Sequence, residues 1–376
     1  MTAMISQLFL QHYWWIIVSI LASLLVFLMF VQGGQSMIYS IPKNDIQKSM
    51  IVNSLGRKWE FTFTTLVTFG GAFFASFPLF YATSFGGAYW VWIAILFSFI
   101  IQAVAYEFRS KPHNLLGQKT FDLFLFLNGS LGPFLIGVAV ATFFTGAAYS
   151  LNNMNQVRWA TPWYGLEDLL NVRNLALGFA VLLLARINGL LYLINTIDDE
   201  AIINRSVKGL ISNSIPFLIT FLFFVVTLLF SKGFAADPVT GTIEIEKFKY
   251  LHNFLQMPVV LILFLAGVVI VLYGIGITVL KKSFSGIWFT GSGTILAVFS
   301  LFLIAGFNGT SFYPSLHDLQ SSLTIRNASS SLFTLKTMMY ISFIIPLVIA
   351  YIWYAWKAIN NSKITELEMT SEEHKY

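Results

Sequence analysis

Glu60 and Glu107 bracket a stretch, 61–106, with no Asp, Glu, Lys or Arg in it. That length fits two membrane crossings of about 20 residues each, Phe61 to Phe80 and Ala88 to Tyr106, joined by a turn at Ser84-Phe85-Gly86-Gly87. An antiparallel hairpin returns to the face it left, so both carboxylates are expected at one water-facing end, one helix apart. Acids at the mouth of a membrane hairpin cost free energy that Lys or Arg would avoid by snorkelling. Proton handling is the chemistry such a pair suggests. Asn53, Lys58 and Trp59 lead into Glu60, and Arg109 and Lys111 follow Glu107. Desolvation and mutual repulsion favour the protonated acids, whereas Lys58 and Arg109 favour the ionised ones, a balance that lets the pair hold or pass a proton near neutral pH. The same residues also read as an interfacial ion-pair network that only fixes the hairpin. Arg186, about two thirds along the fifth apolar run, is a lone cation costing roughly 2.5 to 3.5 kcal/mol near a bilayer centre, so it should snorkel or find a partner. Gln32 and Gln35 end the first run, where helix capping and function are equally good readings.

The elements that carry these residues follow from composition. With 57% hydrophobic residues, 10% charged residues and a mean hydropathy of +0.74, a chain of 376 residues cannot present a water-compatible surface as a globule. It reads as an all-α integral membrane protein of about nine transmembrane helices, arranged as two four-helix bundles plus one peripheral helix. The spans are expected near Tyr13 to Val31, Phe61 to Phe80, Ala88 to Tyr106, Phe121 to Ala148, Leu175 to Ile194, Leu210 to Phe230, Val259 to Leu280, Ile287 to Phe307 and Thr337 to Trp356. Barrel strands would alternate over about ten residues, and these runs do not. Tyr13-Trp14-Trp15 and Tyr89-Trp90-Val91-Trp92 suit interfacial belts. The first run lacks a basic n-region and a small-residue cleavage site, so it is expected to be a retained helix.

The organisation reads as a first bundle over 1–149, an outer connecting loop over 150–173, a second bundle over 174–310, an outer loop and ninth helix over 311–359, and a solvated tail over 360–376. The segment Lys232 to His252 reads as a small surface loop or hairpin. About fourteen Lys and Arg fall on one set of loops, among them Lys43, Lys48, Arg57, Arg109, Lys119, Arg205, Lys281 and Lys375, against about seven on the other face. This bias puts the N-terminus outside and the C-terminus in the cytoplasm.

Several chemistries are excluded or weakened. There is no cysteine, hence no disulfide, thiolate metal site or iron–sulfur cluster. The five histidines (His12, His113, His252, His317 and His374) avoid mid-span positions, so no haem is expected to be ligated by this chain. The methionines read as packing. Walker, Rossmann, HExxH and Gly-x-Ser-x-Gly motifs are missing. The net charge of +5 is dispersed among loops, which argues against a nucleic-acid partner.

Segments toward both ends of the chain resemble a known family. The run Ile51-Val52-Asn53-Ser54-Leu55-Gly56-Arg57-Lys58-Trp59-Glu60, with Gly70-Gly71-Ala72-Phe73-Phe74-Ala75-Ser76-Phe77-Pro78-Leu79-Phe80-Tyr81-Ala82 after it, is similar to the second-helix signature of subunit II of cytochrome bd-type quinol oxidases. Glu107-Phe108-Arg109-Ser110-Lys111 resembles that family's acid-aromatic-Arg segment, and Phe312-Tyr313-Pro314 with 322–331 resembles its last outer loop. The resemblance implies a non-haem subunit in the bacterial cytoplasmic membrane, paired with a homologous subunit I that carries two haems b and haem d and oxidises quinol. It also implies that Glu60 and Glu107 line a cytoplasmic proton route, beside which the residues themselves offer Lys58, Trp59, Asn53, Arg109 and Arg186 as support. A small single-helix subunit, membrane lipid and a structural quinone are further partners it allows. The chain departs from the pattern in five ways: Gln32-Gly33-Gly34-Gln35 replaces Asp-Gly-Phe-Asp, Lys58 replaces a frequent His, Thr65 a frequent Trp, Asn327 a frequent Asp, and Glu replaces Asp at both key positions. A secondary transporter or channel using Glu60, Glu107 and Arg186, and a purely structural scaffold, are the rival readings.

Overall fold

The computed structural model describes residues 6–112, 114–360, 363–366 and 368. His113, His374, Lys375 and the tail acids Glu372 and Glu373 lie outside the described residues. The chain runs through α1 (Gln7–Leu28), α2 (Phe30–Gln35), α3 (Asp45–Gly56), α4 (Trp59–Ser76), α5 (Pro78–Phe80), a π-helical turn over Tyr81–Gly86, α6 (Tyr89–Phe108) and α7 (Gln118–Thr145). It continues through α8 (Val172–Thr196), α9 (Glu200–Leu229), α10 (Lys249–Gln256), α11 (Pro258–Lys281), α12 (Gly286–Gly306), α13 (Leu332–Ser342) and α14 (Ile345–Ile359). Three antiparallel two-stranded ribbons decorate the loops: β1 (Tyr149–Leu151) with β2 (Val157–Trp159), β3 (Lys232–Ala236) with β4 (Ile243–Lys247), and β5 (Ser311–Tyr313) with β6 (Leu323–Thr324). The β3–β4 ribbon is the hairpin expected between Lys232 and His252.

Among the described residues, seven helices are long and apolar enough to cross a membrane, and nine if each of two bent pairs is one span. Side-chain caps explain where several helices begin. Asn44 accepts from the Gln47 N–H, Asp199 from the Ile202 N–H and Ser331 from the Thr334 N–H, each satisfying a donor that the helix leaves open.

The second span differs from its expected form. α4 stops at Ser76, and the chain then turns by 116° into α5 and the π-helical turn, so Pro78 to Gly86 runs crosswise and the connection is longer than a four-residue turn. Pro78 is the physical reason, because its ring displaces the helix and offers no N–H. The carbonyl of Ser76 that this break releases accepts instead from the Ser330 N–H at 2.9 Å. A second correction concerns the first loop, where Asp45 to Gly56 is a helix buried over Met50 to Gly56. The ninth span is likewise bent, by 42° between α13 and α14. α14 has no buried residues, so it lies at the edge of the assembly of helices.

The tail also departs from a free solvated end. Ile364 is buried and bridges to Ile197, while Glu368 pairs with Arg57 and lies 3.5 Å from the Asn53 amide.

One hydrophobic core joins α1, α4, α7, α8, α9, α11 and α12, so the packing is continuous across the connecting loop at 150–173. Near one end of the helices Trp15 packs on Phe73, Phe77, Phe302 and Phe312, and its Nε1–H donates to the Phe302 carbonyl at 3.0 Å. At the other end α2 is wedged between α7 and α8. A Cβ on Gly33 would stand 1.8 Å from the Ala185 carbonyl oxygen, and one on Gly129 would stand 2.5 Å from both the Gln32 oxygen and the Ser36 nitrogen. Close approach of this kind is how membrane helices gain packing when lipid is as apolar as their side chains.

Gly33→Ala should therefore lower stability by about 3 kcal/mol or more, through overpacking against backbone that cannot yield. Gly276→Ala, where an added Cβ meets nothing within 4 Å, should leave the thermal midpoint of the detergent-solubilised protein near the wild-type value. Equal midpoints for the two variants would contradict the wedge.

Candidate functional site

α4 begins at Trp59 and α6 ends at Phe108, so Glu60 and Glu107 occupy the same end of the hairpin. Their neighbours touch, since the Trp59 ring stacks on Tyr106 with centroids 5.7 Å apart and planes 17° apart. Farther along, Phe63 meets Phe99 at 6.3 Å. Both carboxylates are exposed on the chain's surface. Among the described residues they form no ion pair with one another. Glu107 instead pairs with Lys111 one turn on, at 3.3 Å.

The expected cationic companions go elsewhere. Lys58 does not reach Glu60: its side chain is fully buried, with Nζ 4.5 Å from the Trp356 ring centroid and 5.7 Å from that of Phe61. A cation without an acceptor gains from an aromatic face once it is removed from water. Among the described residues Lys58 Nζ has no hydrogen-bond acceptor. Arg109 turns away from Glu107 and donates through Nε to Asp122 at 2.7 Å, with both side chains almost wholly buried. Lys48 adds a second contact to Asp122 at 3.2 Å. Gln118 completes the group when its amide oxygen faces the guanidinium, 3.0 Å from both Nη atoms.

Asn53 is buried beside Glu368 and Arg57, on the α3 side of the doorway. Arg186 takes a hydroxyl and not an acid, donating through Nε to Ser36 at 2.9 Å. Gln32 and Gln35 are not caps, because both lie inside α2 and are fully buried, and Gln35 donates to the Tyr106 hydroxyl at 2.7 Å.

The structure thus brings Trp59, Glu60, Tyr106 and Glu107 to one doorway, holds Arg109 just beneath it on Asp122, and leaves Arg186 on a separate contact with α2. Asp122, Lys48 and Tyr106 were not singled out by the sequence. An acid in the first turn of the fourth apolar run, opposite an Arg at the end of the third, was the available signal. Among the described residues no group of three or more His, Asp or Glu could hold a metal ion.

The comparisons with known proteins agree with one another. Residues 10–359 match the protein family described as cytochrome bd terminal oxidase subunit II. The chain is 28% identical to cytochrome bd ubiquinol oxidase subunit 2 of Bacillus subtilis, over 92% of its own length and 94% of the relative's. It is 25% identical to cytochrome bd-I ubiquinol oxidase subunit 2 of Escherichia coli, over 99% of both chains. The fold matches a chain of the bd oxidase from Geobacillus thermodenitrificans with a TM-score of 0.63, at 13% identity, over 96% of this chain and 99% of that one.

The geometry separates two acids by their burial. Removing one partner of a buried pair leaves an uncompensated charge, so Asp122→Ala should cost roughly 3 to 5 kcal/mol of stability. Glu107→Ala breaks only an exposed contact and should cost less than about 1 kcal/mol. Thermal unfolding of the two variants checks the order, and an equal loss for both would contradict it.

Proposed function

This chain belongs to the cytochrome bd terminal oxidase subunit II family, and from that premise we propose that it is the non-haem subunit of a quinol:oxygen oxidoreductase in the bacterial cytoplasmic membrane. Family membership sets aside the transporter reading. In the proposal, subunit I carries two haems b and haem d, which supply the redox chemistry, and this chain stabilises that partner. Its own contribution to the reaction is a cytoplasmic entry for protons at Glu60 and Glu107. The N-terminus is outside and the C-terminus inside.

The observation that carries the reading is the common doorway. Two carboxylates of an otherwise uncharged hairpin emerge at one end, beside the stacked Trp59 and Tyr106, and both face outward from this chain. An outward-facing acid can collect a proton from water and, where a partner covers the same surface, present it across the boundary. Asp122 does not offer such a surface, since its carboxylate is buried and taken up by Arg109 and Lys48. Protons taken from the cytoplasm, while quinol releases its own outside, would build a proton gradient without a pump.

The scaffold reading keeps one observation in its favour, the Glu107–Lys111 contact, which has the spacing of an ordinary helix-surface pair. Glu60→Gln and Glu107→Gln in the assembled oxidase distinguish the two. Proton delivery predicts that oxygen reduction with quinol as donor falls at least about tenfold, or ~1.4 kcal/mol in the barrier, with haem absorbance unchanged. Normal turnover in both variants and in the double variant would refute it, and lost haem absorbance would favour the scaffold.

A further inference from the structure

Four buried carboxamides are carried by α2, α6 and α7 where α7 packs against the other two helices. Gln32, Gln35, Gln102 and Asn128 are each no more than 1% exposed. Their proximity follows from the contacts around them. Gly129 brings α7 against the α2 backbone at Gln32 and Gln35, and a Cβ on Gly132 would stand 3.5 Å from the Asn128 amide nitrogen and 3.3 Å from the Phe99 ring. Gln102 lies three residues beyond Phe99 and four before Tyr106 on the same buried face of α6. Gln35, three residues after Gln32, donates to the Tyr106 hydroxyl.

Most of the polar atoms in this group have no protein partner among the described residues. They are both amide atoms of Gln32, Gln102 and Asn128, and the carbonyl oxygen of Gln35. That set holds three amino donors and four carbonyl acceptors, and buried groups of both kinds are almost always satisfied in folded proteins. A metal cation would satisfy the oxygens and oppose the amino groups, and an anion would do the reverse. Water, both donor and acceptor, answers both.

We propose that the junction of α2, α6 and α7 is a bound-water site, a short file of water held by these carboxamides and joined through Gln35 to Tyr106. The file begins beside the doorway, because Tyr106 precedes Glu107 and its ring stacks on Trp59. Resting on the proton-entry reading, it extends the route inward from Tyr106 along the four carboxamides, the amides orienting water while protons move between water molecules.

High-resolution electron microscopy of the wild-type oxidase complex, with Gln102→Met and Asn128→Leu beside it, tests this. Ordered water within hydrogen-bonding distance of at least three of the four carboxamides is expected in the wild type. Amides that pair directly, leaving no water density, would overturn the site without depending on whether any variant folds. In time-resolved proton uptake by the same complexes, each variant should slow uptake several-fold while haem absorbance and the electron-transfer steps that precede protonation stay unchanged. Uptake at the wild-type rate in a haem-replete variant would overturn the inward route. The doorway is judged separately: if Glu60→Gln and Glu107→Gln leave uptake unchanged while the amide variants slow it, the entry reading fails and the water site stands.

Discussion

The arrangement depends on one close approach, that of α2 to the backbones of α7 and α8. Lipid tails are as apolar as leucine, so membrane helices gain little by burying apolar side chains against each other and rely on tight backbone contact and buried polar bonds. Gly33 and Gly129 permit that contact, each occupying a place where any side chain would meet a main-chain atom. With α2 wedged in this way its polar residues have nowhere to go but inward. Ser36 meets Arg186, Gln35 meets Tyr106, and the last residue of this list fixes α6 beside α4.

The same packing sorts the charges. Two unit charges 4 Å apart attract by about 1 kcal/mol in bulk water and about 4 kcal/mol at the effective dielectric of a protein boundary. Arg109 therefore binds Asp122, which is buried with it, in preference to the nearer residue in sequence, Glu107, which is exposed. A carboxylate locked by two cations is a structural element. Burial thus divides the acids of this region into one that fastens helices, Asp122, and two that stay at the surface, Glu60 and Glu107.

On the proposed reading these parts form a sequence from the surface of the chain to its interior: exposed acids, a stacked aromatic pair, then neutral amides. Such an order suits a subunit that serves a redox partner. Titratable groups collect protons where water is plentiful, and non-titrating groups guide them where an ionised side chain would be expensive to hold. Lys58, buried against Trp356 with no acceptor among the described residues, stands apart from this order and ties the peripheral α14 to the start of α4.

Hydropathy alone determined that the chain is helical, that it has about nine crossings, and that Glu60 and Glu107 share an end, because each of these follows from sums along the chain and from the parity of crossings. The β3–β4 ribbon was legible for a similar local reason, its alternation of Thr, Ile and Glu. Partner choice was not legible. That Arg109 would take Asp122, that Lys58 would fold under Trp356, and that Gln32 and Gln35 would lie inside α2 and not cap it all depend on which helix lies alongside. Tertiary structure decided these points, since burial and proximity across helices set the strength of each polar contact, and neither can be read from spacing along one helix.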